Sequence, residues 1–266
     1  MSGRRPNNDH RNQLETSVNV TIAYAAGSDI GCNRENNEDS GYAGPCLIAV
    51  ADGMGGYAGG EVASSTVIGA LRAFDAPVPP EHLLDTLGQA VSQAHAVLRG
   101  KIEEHPELDR MGTTLTAMLW SGTHVVLAHI GDSRGYLLRD GELFQMTQDH
   151  TLDKLLGDGG GSPRLSHMLF RVLDGSVDRE PDLIPREARV GDRYLLCSDG
   201  LTGPVGPEAL YEVLTMEPDR STVVKRLIDL ARAGGGPDNI TCVVADVVET
   251  SEPATPVVVG AAAEIG

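Results

Sequence analysis

The chain has 266 residues, 21 Lys and Arg against 38 Asp and Glu, a formal charge of −17, and only 4% aromatic residues. With 41% hydrophobic and 22% charged residues, the composition is that of a soluble globule with room for a sizeable core, not of a disordered chain. An acidic, aromatic-poor chain argues against a nucleic-acid platform, which needs basic and stacking groups. No stretch reaches the roughly 18 apolar residues of a membrane helix, and the polar start, Met1 to Glu15, lacks the apolar core of an export signal. Four scattered cysteines, Cys32, Cys46, Cys197 and Cys242, form no C-x-x-C, which points to a reduced, cytoplasmic protein without zinc or disulfide staples.

Residues 1–17 are polar and rich in Asn and Arg and read as a flexible N-terminal segment. Val18–Ala26 alternates weakly and predicts a strand, followed by a loop rich in Gly, Asn and acid. Cys46–Ala51 is a short continuous apolar run, the pattern of a strand buried on both faces. Helical spacing covers Glu61–Phe74 and Glu81–Glu104, with Pro77-Val78-Pro79-Pro80 as the breaker between them. Runs of β-formers follow at Thr113–Trp120, Thr123–Ile130, Gly135–Arg139 and Glu142–Met146, with hairpin chemistry at Ser121-Gly122 and Asp140-Gly141. Asp153–Gly175 is irregular and Gly-rich. A strand at Arg193–Ser198, helices near Pro207–Leu214 and Thr222–Ala233, and a strand at Ile240–Val248 complete a single domain, 18–249. Residues 250–266, with Pro253 and Pro256 and no period, read as a flexible tail or linker. Hairpins and helices come in groups, so the expected class is α+β, with sheets covered by helices.

Five clusters place an acid beside a turn: Arg34-x-x-Asn37-Glu38-Asp39, Asp52-Gly53-Met54-Gly55-Gly56, Gly131-Asp132-Ser133-Arg134, Ser198-Asp199-Gly200 and Gly236-Pro237-Asp238-Asn239. A strand end fixes where an Asp side chain goes, and a following Gly lets backbone approach a ligand. Any one such Asp-Gly is more often a simple turn. Five in one domain are harder to dismiss, because acids brought together repel unless protonated or neutralised by cations. Oxygen ligands without His or Cys partners favour Mg²⁺ or Mn²⁺ over zinc. A competing pattern, Gly53-x-Gly55-x-x-Ala58 with Asp75 downstream, matches the dinucleotide fingerprint formally, but Asp52 would face the pyrophosphate and repeated βαβ units do not follow. No P-loop, H-E-x-x-H or G-x-S-x-G occurs. His124 and His129 read as packed or edge residues and His150 as a loop residue with no named partner.

The ordered set R-x-x-N-E-D, D-G-M-G-G, M-G-T-T (Met111 to Thr114), G-D-S-R, C-S-D-G-L (Cys197 to Leu201) and G-G-P-D-N-I-T (Gly235 to Thr241) spans about residues 20–248. It resembles the PP2C-type, metal-dependent Ser/Thr protein phosphatases, especially bacterial ones. The resemblance implies a four-layer α-β-β-α sandwich of two mainly antiparallel sheets flanked by helices. It also implies hydrolysis of phosphoserine and phosphothreonine by a water held between two Mg²⁺ or Mn²⁺ ions, in opposition to Ser/Thr kinases. By the same resemblance Asp52 corresponds to the carboxylate shared by both ions and Gly53 to a carbonyl ligand. Asp199 and Asp238 match ligands of the first ion, Glu38 an acid of the second, and Asp39 an acid that orients waters. Arg34 matches the guanidinium that holds substrate phosphate, and Asp132 with Asp199 the pair for a weaker third ion. Thr113 and Thr114 read as structural support. Met54 stands where many eukaryotic relatives have a histidine, and a thioether has no proton to give. The stretch Leu155–Pro163 is shorter and more Gly-rich than the family's flap, with Arg171 at the flap's exit. Phosphorylated proteins are the implied partners, with a monomer as the expected state. A regulatory domain that keeps the fold without turnover is the alternative, and the filled ligand positions argue against it. The Pro-containing tail also resembles the linker that leads to a membrane helix in some bacterial relatives.

Overall fold

The apolar run at Cys46–Ala51 sits at the centre of the architecture. In the computed structural model, which describes residues 19–55, 59–156, 165, 168–176, 180–250 and 255–264, the strands in chain order are β1 (Asn19–Asp29), β2 (Asp39–Ala43), β3 (Leu47–Met54), β4 (Gly112–Thr113), β5 (Leu115–Ser121), β6 (His124–Ile130), β7 (Arg134–Arg139), β8 (Glu142–Gln145), β9 (Asp182–Glu187), β10 (Arg193–Cys197), β11 (Ile240–Thr250) and β12 (Val257–Gly260). The helices are α1 (Gly59–Leu71), α2 (Leu83–Glu104), α3 (Leu152–Leu156), α4 (Asp199–Thr202), α5 (Pro207–Met216), α6 (Arg220–Ala233) and α7 (Ala261–Glu264). One sheet has the order β1-β11-β10-β7-β8 and the other β12-β2-β3-β5-β6-β9, with β4 beside β3. Every described pairing is antiparallel.

Side-chain alternation explains the layering. On β3, Leu47, Ala49 and Ala51 join the core under α1 and α2, with Val67, Leu87 and Val91. Ile48 and Val50 point the other way, into a middle core with Met118, Leu127, Leu196 and Val243. On β11, Cys242 and Val244 face α5 and α6, while Val243 and Ala245 join the same middle core. A strand buried on both faces needs an unbroken apolar run, which is why these segments lack polar alternation. Trp120 and Tyr194 meet edge to face across the middle layer, with ring centroids 5.6 Å apart. The result is the expected α-β-β-α sandwich.

Three strands went unread in the sequence. β2 is the five residues Asp-Ser-Gly-Tyr-Ala inside the expected loop, too short and too mixed to show a period. β9 carries Pro185 and pairs only with β6, an edge position where a missing amide hydrogen is tolerated. The third lies in the tail. Residues 257–264 are not a loose end: β12 pairs with β2, and α7 follows with Ala261 and Ala262 buried. Its Val-Val-Val run offers an edge strand an apolar cover, which the two prolines upstream obscured. The expected flap Leu155–Pro163 lies mostly outside the described residues, as do residues 1–17.

Candidate metal centre

The acids arrive at one end of the two facing sheets. β2 and β3 pair with Asp39 directly opposite Asp52. β10 ends at Cys197 opposite Cys242 of β11, so Ser198-Asp199 and Asp238-Asn239 leave the first sheet side by side. Asp132 lies in the turn between β6 and β7. Arg34, Glu38, Asp52, Gly53, Asp132, Asp199 and Asp238, with Met54, line one cleft of about 280 Å³. Asp39, 1% exposed, lies beneath it. The convergence requires two close backbone approaches. A Cβ on Gly53 would stand 2.1 Å from the Gly60 carbonyl oxygen, and one on Gly200 1.9 Å from that of Asn239. Only glycine fits at either place.

Backbone and hydroxyl partners hold the acids rigidly. The Asp52 N–H donates to Thr114 Oγ1 at 3.0 Å, and Thr113 Oγ1 donates to the Asp52 carbonyl at 2.8 Å. Ser198 Oγ donates to Asp39 Oδ2 at 2.7 Å and accepts the Thr241 N–H at 3.0 Å. Asn239 accepts the Glu38 N–H at 2.8 Å and donates to the carbonyls of Ile30 and Asn36 at 3.0 and 2.9 Å. Ser198 and Asn239 belong to the quoted motifs, but their work as braces depends on contacts about 160 and 200 residues away, which spacing along the chain does not display.

The electrostatics are those of gathered negative charge. Burial first, then Asp39, Asp199, Asp132 and Asp238, pushes the Asp52 carboxyl well above the usual range. Burial raises Asp39 to about 7, against the Ser198 and Thr241 hydrogen bonds and with Asp199 and Asp238 adding to it. Asp132 is raised to about 7 by burial, Asp199 and Asp149, and Glu38 is raised mainly by burial. Among the described residues Arg34 is the cation lining this cleft, and its Nη2 donates to Asp238 Oδ2 at 2.7 Å. Without cations the carboxyls must hold protons, whereas divalent ions would let them ionise together. The donors are carboxylates and a backbone carbonyl, the set preferred by hard ions such as Mg²⁺ and Mn²⁺. Among the described residues no three His, Cys, Asp or Glu side chains form a ready-made cage for one ion. The acids instead line an open cleft, which suits ions that retain much of their water.

The other singled-out residues have structural work. Asp75 accepts the N–H groups of Cys46 and Leu47 at 2.8 and 3.0 Å and the Tyr42 hydroxyl at 2.6 Å, so it ties the β2–β3 turn. β3 is antiparallel to both neighbours, and a dinucleotide fold needs parallel ones. His150, for which the sequence named no partner, accepts the Gly131 N–H on Nδ1 at 3.1 Å and faces Asp182 with Nε2, also at 3.1 Å. Arg171 bonds Asp182 at 2.9 Å, and Arg134 clasps Asp149 through contacts of 2.6–3.1 Å.

With this geometry in place, the protein phosphatase 2C profile matches residues 34–237. The chain belongs to the protein phosphatase 2C family. It is 52% identical over 239 residues to the serine/threonine protein phosphatase PstP of Mycobacterium tuberculosis, covering 87% of this chain and 46% of that protein. It is 34% identical over 238 residues to the serine/threonine phosphatase stp of Listeria monocytogenes, covering 82% of this chain and 93% of that one. The chain thus spans about half the length of the curated PstP relatives. Among solved structures it resembles the PstP catalytic domain in complex with two manganese ions, with a TM-score of 0.81 and 52% identity across 86% of this chain and all of that one. The phosphatase 2C fold is therefore shared, and with it the α+β sandwich.

Proposed function

We propose that this chain is a Mg²⁺- or Mn²⁺-dependent phosphatase that removes phosphate from phosphoserine and phosphothreonine in proteins. The observation that carries the reading is the meeting of Glu38, Asp52, Asp132, Asp199 and Asp238, from five separate stretches of chain, in one cleft with Arg34. PstP, which is 52% identical and binds two manganese ions in its solved structure, supports the metal assignment. Asp52 would serve both ions with the Gly53 carbonyl as a further ligand beside it, Asp199 and Asp238 the first, and Glu38 the second. Asp132 with Asp199 would take a weaker third. When bound, the ions offset charge on the phosphoryl oxygens and acidify water for attack.

The chain's own groups do the rest. Asp39 stands opposite Asp52 across β2 and β3, and its carboxylate would accept hydrogen bonds from water in the cleft and orient it. Arg34 stands at the rim with its side chain 45% exposed, free to exchange Asp238 for a substrate phosphate, which a planar guanidinium binds bidentately. Met54 offers no proton, so the leaving oxygen takes its proton from water or from another group. No cysteine or serine is required as a nucleophile. We read the protein as a monomer that acts on cytoplasmic phosphoproteins against Ser/Thr kinases. No described helix is long and apolar enough to cross a membrane. The test is hydrolysis of p-nitrophenyl phosphate and of a phosphothreonine peptide. Both should require Mn²⁺, stop with EDTA and fall by about two orders of magnitude or more in Asp52→Asn. Full activity in EDTA would refute the reading.

A further inference from the structure

β12 runs antiparallel to β2 with Gly260 opposite Ser40, one residue beyond Asp39. Gly260 has φ +70°, and a Cβ there would stand 2.2 Å from the Asp39 carbonyl oxygen. The backbone of 257–260 therefore lies directly on β2, the strand that begins at Asp39 just after Glu38. Past this point the Ala262 N–H donates to Ser40 Oγ at 3.1 Å. Ser40 Oγ and Ser64 Oγ are 2.9 Å apart, and Ser64 Oγ donates to the Glu38 carbonyl at 2.6 Å. A hydroxyl has one proton to give, and Ser64 has the Glu38 carbonyl at 2.6 Å with the Glu61 carbonyl farther off at 3.4 Å, so the short bonds run from Ala262 to Ser40, Ser40 to Ser64 and Ser64 to Glu38. Both serines are fully buried, where aligned hydrogen bonds strengthen one another and an orphaned partner is costly. The relay ends at a junction, because the same Glu38 carbonyl accepts the Gly53 N–H at 3.2 Å.

We propose that Val257–Glu264 is a positioning element for the metal centre: docked, it fixes Glu38 and Asp39 through Ser40 and Ser64, and its release weakens divalent-ion binding. The proposal rests on the phosphatase reading for the identity of the ions. It gives the cleft a control point on the opposite side of β2 from substrate. The hold is four residue pairs of edge strand plus one relay, weak enough to be undone by anything that grips the segment.

The test uses the whole chain and reads Mn²⁺ affinity by calorimetry together with amide hydrogen exchange at Glu38–Tyr42. Gly260→Val, strained by its φ and blocked by the Asp39 carbonyl, should release the segment. Ser64→Ala cuts the relay without touching the strand. Both should bind Mn²⁺ about three- to tenfold more weakly and exchange faster at Glu38–Tyr42. Met216→Gln, on α5 and 70% exposed, should match the parent in both readouts. Parental Mn²⁺ affinity in Gly260→Val, with residues 257–264 exchanging freely, would overturn the proposal. So would parental affinity in Ser64→Ala, which decides the matter alone if Gly260→Val does not fold. A parent chain that binds no Mn²⁺ would instead strike the phosphatase reading, and this proposal with it.

Discussion

Asp39 and Asp52 face each other across two antiparallel strands, an arrangement that costs folding energy unless charge is removed or offset. In the folded chain the Asp39 carboxyl is pushed up to about 7, whereas in an unfolded chain it titrates near about 3.9. The folded state therefore keeps the proton between those values. Its stabilising contribution is complete below about pH 4 and is lost as pH rises through about 7. In EDTA, unfolding by urea at a series of pH values should show the parent losing stability over that window while Asp39→Asn loses less. The gap should reach a few kcal/mol by about pH 8; parallel curves would contradict the assignment. Arg34 gives a second residue-scale expectation. Arg34→Lys keeps the charge but loses the planar fork, so kcat/KM for a small phosphoester should fall about tenfold, measured at saturating Mn²⁺.

At the scale of elements, the site depends on loops being stitched to strand ends. Asn239, just ahead of β11, holds the Asn36–Glu38 segment through two hydrogen bonds and the Ile30 carbonyl through a third. Asn239→Ala would leave a partly buried amide hydrogen and two carbonyls without these partners, which costs about 1–3 kcal/mol by the usual penalty for unmade bonds. Chemical denaturation of the metal-free protein measures this directly, and a change under about 0.5 kcal/mol would show that the loop is held by other means. The motifs R-x-x-N-E-D and G-G-P-D-N-I-T were visible as separate strings. That the asparagine of one braces the acids of the other became legible only when β1 and β11 were seen to pair along their length. β2 and β12 show the same limit. A strand of four or five residues has too few alternations to announce itself, and its partner decides whether it exists.

Across the whole molecule, the cleft bridges the two sheets: Glu38 and Asp52 come from the β2–β3 side, Asp199 and Asp238 from the β10–β11 side. An ion held between them binds the folded chain and has no counterpart in the unfolded one. Mn²⁺ at a hundred times its Kd should therefore raise the unfolding free energy by about 2.7 kcal/mol per site. Urea unfolding with Mn²⁺ and with EDTA should show this increment in the parent and lose most of it in Asp52→Asn. The core that holds the sheets face to face, with Ile48, Met118, Leu196 and Val243 among its members, is correspondingly sensitive. Ile48→Ala should cost about 2–5 kcal/mol, checked by the same unfolding curves, without removing any group from the cleft.

The sequence by itself determined the α+β class, the two-faced burial of β3 and the identity of the acids, because apolar runs, turn residues and ordered motifs are local properties of a chain. Tertiary structure decided which acids share a cleft and which stand underneath, that His150 and Asp75 serve as braces, and that the last residues return to cover β2. Those outcomes turn on strand pairing and close backbone approach between residues up to about 200 positions apart. Interaction energies there depend on distance in space, and no local pattern in the chain encodes that distance.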